Sequence, residues 1–286
     1  MASGVASEGS ALVLGGGGVT GVAWEIGILL GLAEAGLDLS AADLFVGTSA
    51  GSVVAAQLTS GVPLDRLFNA QLADATGEIA AHMSRAALAR FVLAMAWPGD
   101  PQRARARLGR AALRAKTVSE AERRSVIEQR LPSHDWPQQR LLIPAVDAET
   151  GAVVVFTKDS GVSLVDAVSA SCAVPLVWPP MTIGSHRYID GGVRSVANVD
   201  LAAGCERVVV IAPTTAGLRR ADRLSSQVRE LSKAGKNVQA AIVSPDSAAR
   251  KAIGPNVLDP SHRAASANAG RMQAAGEVKR VQAMWS

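Results

Sequence analysis

Apolar residues occur along the chain in two patterns, short continuous runs and longer stretches of helical spacing. Short runs typical of buried strands lie at 11–14, 43–47, 140–148, 153–156 and 207–213. Helical patterns directly follow the first two runs, at 22–36 and 49–61. Strand, tight loop and helix in repetition predict an α/β fold, in which a mostly parallel central sheet has helices on its faces.

Three other regions lack this repetition. Residues 63–137 are rich in Ala, Arg, Leu and Met without a β-branched run, so we expect a helical cap at about 62–138, inserted between two parts of the sheet. The region from about 215 to 286 also predicts helices, and the small polar residues 1–10 predict a disordered tail. The chain from 11 to 286 is then expected to form a single domain.

Composition fits a globular protein with a core of small aliphatic side chains. Of the 286 residues, 48% are hydrophobic but only 3% are aromatic, which leaves mainly Ala, Val and Leu to fill the core. The net charge of +4 is mild. It is compatible with peripheral association with an anionic membrane, and no nucleic-acid partner is expected. The oligomeric state does not follow from the sequence.

Cysteine usage and the N-terminal segment bear on compartment and cofactors. Cys172 and Cys205 have no C-x-x-C or His-rich setting, so neither a metal nor another cofactor is expected, and a disulfide between them is one open pairing. Residues 1–10 lack the basic and apolar parts of a secretory signal, and no apolar run is long enough to span a bilayer. A cytoplasmic location is the simplest expectation, with peripheral membrane association as the alternative.

Four consecutive glycines, Gly15 to Gly18, separate the first strand from the first helix. Such a loop at a helix N-terminus suits a phosphate or the oxyanion of acyl transfer. No lysine follows as in a phosphate-binding P-loop. Gly16 to Gly21 does match the dinucleotide pattern G-x-G-x-x-G, but the second strand ends in Phe45-Val46-Gly47 and not in the acidic residue that would hold a ribose.

The second strand runs into Gly47-Thr48-Ser49-Ala50-Gly51, a G-x-S-x-G sequence between strand and helix. This context is typical of a nucleophile elbow that exposes a serine, although the same pentapeptide also forms ordinary turns. Parallel strands bring both loops to one edge of the sheet. The glycine loop is therefore predicted to provide an oxyanion hole for a carbonyl attacked by Ser49.

A serine nucleophile needs a base. His82 and His134 fall in the expected cap, and the setting of His186 and His262 gives neither any local support, although His262 could complete a Ser, Asp, His order. A third feature, Asp190-Gly191-Gly192, follows a short apolar-flanked strand. Taken alone, it fits a hairpin turn.

In this order, the glycine loop, the G-T-S-A-G sequence and the D-G-G sequence resemble the patatin-like phospholipase family. The stretches 145–156 and 167–181 are similar to the strand pair and the Ala/Ser-rich helix that precede the aspartate in that family, so the resemblance covers about 11–200. It implies a three-layer α/β/α fold with a helical cap insertion and a Ser–Asp dyad. Thr20 departs from the Lys or Arg that many members carry in the loop, and Asn198 lies near a family asparagine.

The resemblance also implies a role for each motif residue. Ser49 corresponds to the nucleophile and Asp190 to the base. The oxyanion hole corresponds to Gly16, Gly17 and Gly18. Residues that support the motifs are Gly21, Gly47, Gly51, Gly191 and Gly192.

The expected function is a lipid acyl hydrolase of phospholipase A or lysophospholipase type, acting on a lipid or acyl-ester substrate. Two alternatives stay open: a broader carboxylesterase, thioesterase or acyltransferase on the same dyad, and a non-catalytic nucleotide-binding or regulatory module. Within the cap, the apolar stretch 87–100 precedes a basic stretch at 103–116. This pair fits a lid that docks on anionic lipid, and it equally fits a core helix beside a solvated basic helix.

Overall fold

The computed structural model describes residues 9–74, 77–96, 99–215, 223–234 and 238–285. The strands in these ranges are β1 (Ser10–Leu14), β2 (Leu44–Gly47), β3 (Arg140–Asp147), β4 (Val153–Phe156), β5 (Met181–Ile183), β6 (His186–Asp190), β7 (Arg207–Ile211) and β8 (Gln239–Val243). The α-helices are α1 (Gly18–Glu34), α2 (Ala50–Leu58), α3 (Leu64–Leu72), α4 (Arg85–Ala96), α5 (Pro101–Leu113), α6 (Glu120–Arg130), α7 (Leu164–Ser171), α8 (Leu224–Ala234), α9 (Ser247–Ile253) and α10 (Arg263–Trp285).

The strands form one sheet in the order β5-β6-β3-β2-β1-β7-β8, and β4 pairs with β3 outside this path. The pairs between β3, β2, β1, β7 and β8 are parallel, whereas β4, β5 and β6 pair antiparallel. Leu14 at the end of β1 pairs with Gly47 and Ile211 at the ends of β2 and β7. The carboxyl ends of these three central strands therefore share one edge of the sheet, where the glycine loop and the serine turn meet.

Helices cover both faces of the sheet. Since alternate side chains of a strand point to opposite faces, β1 contributes to a core on each side. On one face, Leu12 and Leu14 of β1 belong to a core with α1, α2 and α10. On the other face, Ala11 and Val13 belong to a second core with α8 and the segment 197–202. The result is the three-layer α/β/α arrangement expected from the sequence.

Helices α3 to α6 fill the region expected as the cap. Leu108 and Ala112 of α5 pack with Val146 and Ile189 of β3 and β6, which fixes α5 against the antiparallel part of the sheet. The large apolar side chains that α4 leaves exposed are Leu88, Val92 and Leu93. None of the described helices is long and apolar enough to cross a bilayer.

The structure corrects several expectations. Ser10 is not part of a tail, because β1 begins there and its N–H and Oγ donate to Asp43 Oδ2 at 2.8 and 2.9 Å; residues 1–8 lie outside the described ranges. Helix α1 begins at Gly18, four residues earlier than its apolar pattern, because the end of the glycine loop forms the first helical turn. The C-terminal region contains a strand, β8, as well as helices. Cys172 and Cys205 are both buried and no disulfide joins them, so the open pairing is not formed.

Candidate active site

Ser49 lies in a sharp turn between β2 and α2, with φ of 52° and ψ of −117°, a conformation that a residue with a side chain rarely adopts. The turn is held by the end of β1: Thr48 N–H donates to Leu14 O at 3.0 Å and Gly51 N–H donates to Gly15 O at 2.9 Å. A Cβ on Gly51 would lie only 2.1 Å from Leu14 O, so this position requires glycine. The local geometry is that of a nucleophile elbow.

Asp190 ends β6 and meets Ser49 directly. Ser49 Oγ donates a hydrogen bond to Asp190 Oδ2 at 2.6 Å, and both residues are buried. The other carboxylate oxygen, Oδ1, accepts from Gly192 N–H at 2.6 Å. A Cβ on Gly191 would lie 2.3 Å from Pro144 O, and one on Gly192 would lie 2.8 Å from Asp190 Oδ1. The two glycines thus let the chain turn tightly behind the carboxylate.

Burial changes the acidity of this carboxylate. Desolvation raises the pKa of Asp190 to about 6, against the opposing effects of the hydrogen bonds from Ser49 and Gly192 and of the positive charge of Arg123. A carboxylate with this pKa is still ionised at neutral pH but is a stronger base than an exposed aspartate.

The glycine loop lies beside the serine turn, and its N–H groups are not equivalent. Gly16 N–H donates to Val196 O at 2.8 Å, so it is engaged within the fold. The N–H groups of Gly17 and Gly18 have no acceptor among the described residues. Of Gly16, Gly17 and Gly18, to which the resemblance assigns the oxyanion hole, only the last two therefore have N–H groups free for a ligand.

A buried acid that no sequence motif predicts hydrogen-bonds to the first glycine of the loop. Glu25 on α1 is fully buried, and its Oε1 accepts from Gly15 N–H at 3.0 Å, while Oε2 has no hydrogen-bond partner among the described residues. Desolvation raises the pKa of this carboxyl well above its usual value, so its neutral form is favoured. In the sequence, Glu25 could have been recognised as a charged residue inside the otherwise apolar helical pattern 22–36.

Asn198 connects the serine turn to the aspartate turn. It is fully buried in a left-handed conformation with φ of 49°. Its Nδ2 donates to Thr48 Oγ1 at 3.0 Å, next to Ser49, and to Gly191 O at 3.3 Å, next to Asp190. One amide group therefore fixes the two halves of the site relative to each other.

None of the four histidines, all of which are described, hydrogen-bonds to Ser49 or Asp190. His186 Nδ1 bonds to Asp147 Oδ2 at 2.9 Å, and His262 Nδ1 bonds to Ala252 O at 2.9 Å. His134 lies near Glu128. His82, expected in the cap, is exposed and lines the cavity in front of Ser49.

Ser49 and Asp190 open into a cavity of about 510 Å³. Its walls come from the glycine loop, from Leu88 and Phe91 of α4, and from the segment 255–258. Most of this lining is apolar, which suits an acyl chain. No group of His, Cys, Asp and Glu side chains that could hold a metal ion occurs in the described part of the chain.

Comparison with known proteins places this architecture in a family. The model of the family described as patatin-like phospholipase matches residues 12–203, about two-thirds of the chain. The chain belongs to the patatin-like phospholipase family. The resemblance drawn from the motifs is thereby confirmed, together with the fold class that it implied. Membership of this family supports a lipid acyl hydrolase in general.

Two solved structures are similar to the chain. VipD from Legionella pneumophila is 14% identical with a TM-score of 0.46, and the match covers 96% of this chain and 67% of that one. The type III effector protein ExoU is 16% identical with a TM-score of 0.44, and the match covers 96% of this chain. The chain spans about half, 53%, of the length of ExoU. No curated protein sequence matches significantly.

Proposed function

We propose that the protein is a serine hydrolase that cleaves acyl esters of lipids, in the manner of a phospholipase A or lysophospholipase, through a dyad of Ser49 and Asp190. The observation that carries this proposal is the 2.6 Å hydrogen bond from Ser49 Oγ to Asp190 Oδ2. Ser49 lies in a strained turn, and both residues line a largely apolar cavity. These features supply a nucleophile, a base and space for an acyl chain.

The first step forms an acyl-enzyme. Ser49 Oγ attacks the ester carbonyl carbon while its proton passes to Asp190 Oδ2. The carbonyl oxygen becomes an oxyanion, which the free N–H groups of Gly17 and Gly18 stabilise. When the tetrahedral intermediate collapses, the C–O bond of the ester breaks, and the leaving alkoxide takes the proton from Asp190. The alcohol part of the lipid departs.

The second step reverses these roles with water. Asp190 accepts a proton from water as the water oxygen attacks the acyl carbon, and it returns that proton to Ser49 Oγ when the acyl–serine bond breaks. A free carboxylic acid is released. Asp190 suits both steps because its pKa of about 6 leaves it ionised at neutral pH yet able to hold a proton transiently.

Labelling with a fluorophosphonate probe tests the proposal, because the probe reacts with an activated serine. We expect the wild-type protein to be labelled and to hydrolyse p-nitrophenyl butyrate and a lysophospholipid in micelles. Ser49→Ala should lose labelling and hydrolysis, while Ser185→Ala, at an exposed turn, keeps both. Labelling that persists in Ser49→Ala would assign the nucleophile to another residue. A wild-type protein with neither property would favour a non-catalytic module.

A further inference from the structure

A second, smaller chamber lies beside Ser49, and Arg123 of α6 is in its wall together with Trp178. The Arg123 side chain stacks over the Trp178 ring at 4.0 Å, and the residue is only 7% exposed. Its Nε and Nη1 are buried without an acceptor among the described residues. Stacking covers the face of the guanidinium, so a hydrogen bond from Arg123 has to lie in its plane.

Burying a cation without a partner costs free energy, and this cost depends on the charges around Arg123. Burial, with the nearby charge of Arg130, lowers the pKa of Arg123 to about 10, which still leaves it charged at neutral pH. Arg130 lines the same chamber, but it is paired with Glu78, with its Nε donating to Glu78 Oε1 at 3.0 Å. Glu78 is thus already engaged, and the other carboxylate whose charge acts on Arg123 is Asp190, to which Arg123 donates no hydrogen bond.

The chamber adjoins the catalytic cavity. The two share Gly18, Ser49, Val174 and Leu258 in their walls. At about 20 Å³ the chamber has room for roughly one water-sized group. It therefore suits a single charged oxygen of a larger molecule whose remainder occupies the main cavity.

We propose that Arg123 forms an anion subsite that binds a phosphate oxygen of the lipid substrate while Ser49 attacks the neighbouring ester. This inference rests on the proposed function and assigns within it the residue that would select acyl esters with a phosphate near the scissile bond. A charge-assisted hydrogen bond from Arg123 would fix the phosphate on one side of Ser49. The acyl chain would then extend into the apolar cavity on the other side.

The test compares two substrates with the same acyl chain in the same detergent micelles, a lysophosphatidylcholine and a monoacylglycerol. The measured quantity is the ratio of their kcat/KM values. We expect Arg123→Gln to lower this ratio about tenfold or more, the size typical of a lost hydrogen bond to a charged group. Arg123→Lys should recover part of the ratio, because it keeps the charge.

Arg124→Gln is the matched control on the same helix. Arg124 pairs with Asp166 and Glu128 at the surface, so its replacement should leave the ratio at the wild-type value. Thermal unfolding of each variant monitors the fold. If Arg123→Gln lowers both kcat/KM values equally and the ratio is unchanged, Arg123 serves the fold or Asp190, and the subsite is refuted.

Inorganic phosphate separates a lipid phosphate from a free one. Inhibition of monoacylglycerol hydrolysis by phosphate in the wild type, weakened in Arg123→Gln together with a lowered ratio, supports the subsite. Inhibition with an unchanged ratio means that the chamber takes free phosphate only, which overturns the proposal. A wild-type protein that hydrolyses neither substrate and takes no fluorophosphonate label refutes the proposed function itself, whereas an unchanged ratio in an active enzyme refutes only the subsite.

Discussion

The sheet edge that carries Ser49 and Asp190 differs from the cap above it in how its parts are held. At the sheet edge, backbone hydrogen bonds and close backbone approaches leave each residue little freedom; Gly51 against Leu14 O is one such approach. In the cap, α5 also lies close against the sheet at Gly109, but the hydrogen bond that connects α4 to α5 comes from a long side chain, Arg107, which donates to Ala94 O at 3.1 Å. We propose a division of roles in which the sheet edge holds the reacting groups in fixed positions and the cap adjusts substrate access.

The first prediction concerns the base and should have the largest effect. Asp190→Asn keeps the shape of the side chain but cannot accept the Ser49 proton as a carboxylate does. A general base typically contributes about 10²–10⁴-fold, so we expect kcat on p-nitrophenyl butyrate to fall by that amount. His186→Ala and His262→Ala should retain a good fraction of the activity, because neither histidine contacts Ser49.

A different result would assign the base, or a further catalytic residue, to an element outside the sheet edge. If His262→Ala is as inactive as Ser49→Ala, a Ser–His–Asp triad replaces the dyad. If His82→Ala is as inactive, a cap residue at the cavity wall is the base, and the proposed division between rigid sheet edge and adjustable cap fails.

The second prediction compares two neighbouring glycines of the loop. A Cβ on Gly17 would lie 2.4 Å from Pro213 Cβ, so Gly17→Ala should displace the loop and its free N–H. Loss of one oxyanion donor typically costs about 10²–10³ in kcat. Gly16→Ala should cost less, because its N–H is already engaged and its Cβ would make only an ordinary 3.6 Å contact with Ser49 Cβ. An equal or larger loss in Gly16→Ala would return Gly16 to the oxyanion hole.

The third prediction uses the raised pKa of Asp190, about 6, which burial causes. Because only the ionised carboxylate is a base, kcat/KM on a neutral ester should fall about tenfold per pH unit below pH 6 and level off above it. Cys172, which lies beside the serine turn, has its pKa raised to about 11 by burial and does not titrate in this range. Activity that stays constant down to pH 4 would contradict the shift.

The same shift affects stability with a defined sign. An aspartate in the unfolded chain titrates near about 3.9, so the folded state binds this proton more tightly. The contribution of Asp190 to the free energy of unfolding is therefore fully present below about pH 4 and is lost as the pH rises through about 6. The carboxylate form that the proposed mechanism needs thus prevails at a pH where the burial of Asp190 opposes folding.

The sheet edge was largely predictable from sequence, whereas the details of the cap and of the second chamber were not. The serine turn and the D-G-G turn need glycines at fixed positions within a few residues, so short motifs reveal them. The engagement of Gly16 N–H with Val196 O depends on a segment distant in sequence. Arg123 lies in a charged stretch that looks like an ordinary solvated helix face, and only the packing of α6 over Trp178 shows that it is buried.

Strand β8 was missed for a related reason. Its sequence, Gln239 to Val243, is short and begins with polar and alanine residues, so it has little β propensity of its own. It forms because β7 offers a free edge with which it pairs over five residues.

The basic stretch 103–116 fitted either lipid docking or a solvated helix face. In the structure, Arg105 Nε donates to Gly151 O at 2.8 Å, so part of this stretch makes contacts within the fold.

The last prediction has the smallest effect and tests this use of the cap arginines. Arg107 is half-buried and connects α5 to α4, whereas Arg103 on the same helix is exposed and has no partner among the described residues. Arg107→Gln should lower the free energy of unfolding by about 1 kcal/mol, the usual net value of one hydrogen bond, and Arg103→Gln should stay within about 0.5 kcal/mol of wild type. Urea unfolding measures both. Hydrolysis by Arg103→Gln provides a second measurement. If this variant, with unchanged stability, hydrolyses anionic vesicles more slowly at low salt but a soluble ester at the wild-type rate, the exposed end of α5 acts at the lipid surface. The cap would then contribute to docking as well as to access.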